Sequence, residues 1–152
     1  MTGNTVIESF KYPVLTFSGT LAIPVRSADR LTRCTKHALN SGHFAGLVIV
    51  DSAGKAVRVR NAGKLHGIGR FGGYNIFLNQ KIRVELELDG APFQISLDEV
   101  KSRLMADFHS DEGHWDSCDD LDDLVSFVRD ANAIDEITKF MTERFYRVYR
   151  TS

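Results

Sequence analysis

Residues 82–108 read IRVELELDGAPFQISLDEVKSRLMADF and change their hydrophobic period midway. Ile82, Val84, Leu86 and Leu88 alternate with Arg83, Glu85 and Glu87, which predicts a strand with one face in a core and the other in water. Asp89-Gly90 readily takes the positive φ angles of a two-residue hairpin turn, so residues 93–95 are expected to return antiparallel to that strand. Ser96 and Glu99 stand at capping-box spacing, and Ile95 can staple onto Val100. From there Leu97, Val100, Leu104 and Phe108 form the apolar stripe of a helix.

The flanking sequence supplies the remaining elements. Upstream, Leu15, Phe17, Leu21 and Ile23 alternate with smaller or polar neighbours, the pattern of a half-buried strand over 14–23. Ser27 is an N-cap for a helix expected over 28–40, with Leu31, Cys34 and Ala38 at helical spacing. The apolar run 44–50, the turn residues Asp51-Ser52-Ala53-Gly54 and the alternation of Val57 and Val59 with Arg58 and Arg60 predict a hairpin. Downstream, Leu121, Leu124, Val125 and Val128 mark a helix at about 120–131, with Asp119 or Asp120 as N-cap. Ile134, Ile137, Met141, Phe145 and Val148 mark another over 134–149. The order predicts an α+β fold, a mostly antiparallel sheet with one N-terminal helix and three C-terminal helices, in a single domain over 1–152.

Composition narrows the function classes. The chain has 152 residues, 43% apolar and 26% charged, which is globular rather than disordered or collagen-like. Its longest apolar run, Phe44 to Val50, is far below the roughly 20 residues of a membrane-spanning helix. The best candidate for a secretory leader, Val14 to Val25, is broken by Thr16, Ser18, Gly19 and Thr20, so a cytoplasmic location is expected. Cys34 and Cys118 are expected there as free thiols.

The net charge of −1 conceals an asymmetry. Residues 1–90 carry 12 Lys+Arg against 6 Asp+Glu, whereas residues 91–152 carry 7 against 14. Between 107 and 123 stand Asp107, Asp111, Glu112, Asp116, Asp119, Asp120, Asp122 and Asp123, with no Lys or Arg. Such a run forms either a solvated face or a docking surface for a basic partner.

Four motifs test for other chemistry. Gly67-Ile68-Gly69-Arg70-Phe71-Gly72 spells G-x-G-x-x-G, and Glu87 follows about 20 residues on. A dinucleotide site also needs a strand entering the first glycine and a crossover helix. Lys64-Leu65-His66 is expected to separate Gly67 from the last strand, and too little chain remains for the helix. A glycine-punctuated loop is expected instead, with an anion nest built from Lys64, His66 and Arg70 as the functional alternative. His109, Asp111, Glu112, His114, Asp116 and Cys118 are metal-ligand types, but they match neither zinc nor calcium spacing, so no metal and no cofactor are expected. Cys34 and His37 fall i, i+3 on the expected helix, yet Cys34 lies on its apolar stripe, which fits a buried thiol better than a nucleophile. Arg58, Arg60, Lys64, Arg70, Lys81 and Arg83, interleaved with Phe71, Tyr74 and Phe77, form a pattern that can track nucleic acid. The acidic segment and a pI near 6.5 oppose that use. No G-x-S-x-G, H-E-x-x-H or Walker motif occurs, and nothing argues for an enzyme.

In layout, with the acidic run Asp111 to Asp123 and the block Gly72 to Glu87 ahead of the capped helix, the chain is similar to bacterial immunity proteins, which bind and block a cognate toxin. That resemblance implies inhibition by steric and electrostatic occlusion. The expected function is therefore a non-enzymatic module that binds a basic protein through Asp111, Glu112, Asp116, Asp119, Asp120, Asp122 and Asp123, with Trp115 as an aromatic anchor. The alternatives are a small enzyme or phosphate-ligand binder using the 63–73 loop, with His66 as acid/base and Arg70 as anion partner, and a nucleic-acid-binding domain on the basic strands.

Overall fold

The computed structural model describes residues 3–18, 21–68, 81–110 and 121–149. In chain order the elements are α1 (Gly3–Glu8), β1 (Val14–Ser18), β2 (Leu21–Val25), α2 (Ala28–Leu31), β3 (Arg33–Thr35), α3 (Lys36–Asn40), β4 (Val48–Val50), β5 (Lys55–Gly67), β6 (Lys81–Leu88), β7 (Phe93–Gln94), α4 (Leu97–Ser110), α5 (Leu121–Asp130) and α6 (Ile134–Tyr149). The strands form one sheet in the order β2-β1-β4-β5-β6-β3, with β7 also on β5, and every described pairing is antiparallel. The α+β class is as expected. The described residues hold three short helices, not one, before the long C-terminal set.

Alternation along the central strands feeds two cores. Leu15, Phe17, Val48, Val50 and Ala56 face α4, α5 and α6, joining Val100, Leu104, Phe108, Leu124, Val128, Ile137 and Met141. Val14, Ile49, Val57 and Val59 face the other way, onto Val6, Ile7, Phe10, Leu31, Phe44 and Leu47. The single half-buried strand expected over 14–23 is instead two antiparallel strands, β1 and β2, and β1 is buried on both faces. The strand at 82–88 behaves as its period dictates, with Ile82, Val84 and Leu86 buried. The helix after it is capped as expected, Ser96 Oγ accepting from Glu99 N at 3.1 Å.

Three further expectations are overturned, each by pairing across the sheet. The helix expected over 28–40 is broken into α2, β3 and α3. Ser27 does cap its start, accepting from Arg30 N at 3.3 Å. The chain then leaves the helix because the Thr32 carbonyl accepts from Val84 N at 2.9 Å, and Arg33, Cys34 and Thr35 pair with Arg83, Ile82 and Lys81. The unpaired edge of β6 outweighs a weak local helix preference at two threonines. Thr35 then caps α3 by accepting from Ala38 N at 3.1 Å.

Residues 93–94 do not return along β6 either. They pair with Lys55 and Ala56, while Asp89 N donates to the Arg58 carbonyl at 2.8 Å. β7 therefore continues β6 along the same edge of β5. Gly90 has the positive φ expected of it, 89°, but uses it to bulge the chain out and back rather than to reverse it.

The third correction concerns Lys64-Leu65-His66, which lie inside β5, so a strand does run into Gly67. Ile68 N donates to the Lys81 carbonyl at 2.9 Å, and β5 and β6 are antiparallel neighbours. A dinucleotide fold requires a parallel crossover at this point, so the G-x-G-x-x-G spelling still has the wrong context. Residues 69–80 lie outside the described residues.

One buried and one half-buried polar group fix the chain around the two cores. Asp107, only 1% exposed, takes a hydrogen bond at 2.9 Å from Ala22 N on the edge strand β2. It belongs to the interior and not to the acidic surface with which the sequence groups it. Tyr12 donates its hydroxyl proton to the Ile7 carbonyl at 2.8 Å. Burial, reinforced by the charges of Glu8 and Asp51, holds this phenol well above its ordinary value of 10.0. An unfolded chain loses that proton near pH 10 while the folded one keeps it, so the stabilisation is complete below about pH 10 and is lost at higher pH. Urea midpoints measured from pH 8 to 11 are expected to fall less steeply above pH 10 for Tyr12→Phe than for the parent. Parallel curves would refute the assignment.

Candidate partner-binding surface

α5 and α6 follow each other across residues 131–133 and bury Leu124, Val128, Ile137 and Met141 in one core. Residues three or four apart share a helix face, so Asp123, Phe127 and Asp130 form one outward ridge on α5. Glu136, Phe140 and Arg144 form the facing ridge on α6. The two meet at the aromatic rings. Phe127 and Phe140 stack with centroids 3.8 Å apart and planes 6° from parallel. The Arg144 guanidinium lies over the Phe140 ring, 4.9 Å from its centroid.

These six residues, with Ser126 and Ala131, bound a groove of about 410 Å³. Phe127 keeps 37% of its surface exposed, one of three large apolar side chains to do so among the described residues. The carboxylates around it are weakly engaged. Among the described residues Asp130 pairs with its neighbour Arg129, at 3.3 Å, with both side chains more than half exposed, and such pairs contribute about 0–1 kcal/mol. Glu136 accepts from Asn132 N at 3.0 Å, closing the turn between the helices. Asp122 and Asp123, exposed in the first turn of α5, complement its macrodipole and add to the negative field at the groove.

Of the acidic residues and anchor expected at the interface, Asp122 and Asp123 are brought to this groove's end of α5. Asp111, Glu112, Trp115, Asp116, Asp119 and Asp120 lie outside the described residues, as do His114 and Cys118 of the metal-type cluster. Among the described residues no group of three metal-ligating side chains occurs. Sequence reasoning overlooked Phe127, Asp130, Glu136, Phe140 and Arg144. The missed signal was an aromatic residue off the apolar stripe: Phe127 stands apart from Leu121, Leu124, Val125 and Val128 and between two aspartates.

The alternative anion site is divided. Lys64 lines a cleft with Gly3, Val6, Glu85 and Pro92, whereas His66 lines another with Asn4, Asp29, Thr32 and Arg83. A register shift between them sets Lys64 opposite Val84 and His66 opposite Arg83. Arg70 lies outside the described residues. His66 Nδ1 is 2.9 Å from the Gly67 carbonyl, an acceptor only, so Nδ1 carries the proton of that bond.

The basic strands are also partly neutralised from within. Arg83 donates to Asp29 and Thr32 at 2.6 to 2.9 Å, and Arg60 reaches Glu87 and Asp89 at 3.4 Å each. Cys34, expected on a helix beside His37, sits half-buried on β3. Desolvation raises its pKa against a smaller lowering by a backbone hydrogen bond at Leu39, the wrong direction for a nucleophile at neutral pH.

No family model, curated protein or solved structure matches the chain. No described helix is long and apolar enough to cross a membrane.

Proposed function

We propose that this protein is a non-enzymatic binding module that occludes a basic protein partner, as an immunity protein does its toxin, through the outer face of α5 and α6. One observation carries the proposal. The stacked Phe127 and Phe140 are partly open to solvent inside a groove bordered by Asp123, Asp130 and Glu136. Interfaces draw most of their energy from a few aromatic or arginine anchors in desolvated pockets, with surrounding charge steering the encounter. Here the anchor and a negative rim occur together, and Asp122 extends the rim. A cytoplasmic location goes with this function, since Cys34 would there remain a thiol.

The test is retention of partners by the tagged chain from its native lysate at low and then high salt, followed by reconstitution of the retained protein in pure form. A basic protein bound one to one is expected, with affinity falling as salt rises. The triple variant Asp122→Lys, Asp123→Lys, Asp130→Lys is expected to weaken that complex at least about 100-fold, mostly through lost steering and new like-charge contacts. Undiminished binding by the variant, or no basic protein retained at either salt, overturns the proposal.

A further inference from the structure

We infer that the anchor the partner inserts into this groove is an arginine, stacked on Phe127 and forked between Asp123 and Asp130. This inference rests on the binding function proposed above and names the chemistry recognised at the same face. Its first support is a precedent within the groove itself. Arg144 already lies over Phe140, 4.9 Å from the ring centroid. A ring stacked at 3.8 Å fills one face of Phe140, so Arg144 occupies the other, and the column runs Arg144, Phe140, Phe127. Phe127, still 37% exposed, is the end of that column. A second guanidinium there leaves the ring pair with a cation at each end.

The second support is the placement of the carboxylates. Asp123 precedes Phe127 by four residues and Asp130 follows it by three, so both flank the ring on the same helix face. A planar guanidinium can lay its face on an aromatic ring while its edge N–H groups reach carboxylates at either side. A lysine ammonium is a compact, strongly hydrated point charge and cannot do both. The acidic flank is also available at little cost. Asp130 gives up only an exposed contact to Arg129, and Glu136 is already committed to Asn132 N.

The basic ribbon of β5 and β6 carries the wrong charge for the same cation, with Arg83 held by Asp29 and Arg60 in exposed pairs with Glu87 and Asp89.

The experiment titrates the full chain, followed by NMR of its aromatic resonances, with a capped Gly/Ser peptide carrying three arginines and with the same peptide carrying three lysines. The arginine peptide is expected to bind about 10-fold more tightly, with ring-current shifts at Phe127 and Phe140. Phe127→Leu, a surface change compatible with folding, is expected to bring the ratio below about 2 by weakening the arginine peptide far more than the lysine peptide. Equal affinities, both reduced alike by Asp123→Asn and Asp130→Asn, overturn arginine recognition and leave the acidic binding face intact. If neither peptide moves the Phe127 resonances and the triple lysine variant still holds the partner, the arginine anchor and the binding face fail together.

Discussion

Replacing Phe108 by alanine is expected to remove about 3–5 kcal/mol from the stability of the folded chain. The ring is fully buried where α4 meets the sheet, in the cluster that holds Phe17, Leu104, Leu124 and Met141. Its loss forfeits the transfer free energy of the ring and leaves a cavity that four elements must close around, and packed interiors relax only in part. A domain whose stability is roughly 5–15 kcal/mol comes close to unfolding under such a change. The urea midpoint is the readout, with an expected fall of about 2 M at an m-value of 1–3 kcal/mol/M. Phe127→Ala supplies the contrast. It removes an equal ring from an exposed position and is expected to cost about 1 kcal/mol, chiefly the stack on Phe140. Similar costs for the two variants would mean that the Phe108 environment is not a close-packed core.

Asp51→Ala is expected to cost about 3 kcal/mol without creating any large cavity. This carboxylate is 2% exposed at the end of β4 and accepts three backbone hydrogen bonds. Its Oδ1 takes Ala53 N at 2.9 Å and Lys55 N at 2.8 Å, and its Oδ2 takes Lys11 N at 3.0 Å. It therefore closes the β4–β5 turn and binds that turn to the segment after α1. Gly54, at φ 88°, completes the same turn with its amide on the Asp51 carbonyl. Alanine leaves three amides without their acceptor. Asparagine keeps the oxygen that serves Ala53 and Lys55 but turns an amide donor toward Lys11 N, so Asp51→Asn is expected to lose about half as much. Hydrogen exchange should show the Lys11, Ala53 and Lys55 amides losing protection together in Asp51→Ala. Retained protection at all three would show that water replaces the carboxylate without penalty.

The acidic face illustrates how far a linear pattern reaches. Of the run of aspartates, Asp123 borders the groove and Asp122 stands beside it in the first turn of α5. Asp107, counted in the same run, is interior and holds Ala22 N. Charge in a sequence carries no sign of which way a side chain points, and a helix turns by about 100° at each residue. The aromatic half of the groove was hidden for the related reason that Phe127 and Phe140 lie 13 residues apart on different helices.

The local codes proved sufficient wherever the determining interactions span a few residues. The strand at 82–88, the capped start of α4, the helix ending at Tyr149 and the turn at 51–54 follow from alternation, a serine cap, an apolar stripe and turn chemistry, all local to those segments. What escaped them was decided across the sheet. The edge of β6 converted Arg33–Thr35 from helix to strand, the edge of β5 captured Phe93 and Gln94, and pairing with β6 carried β5 on to Gly67. In each case an unpaired row of backbone donors and acceptors, supplied by residues distant in sequence, outweighed a local preference of a few tenths of a kcal/mol per residue.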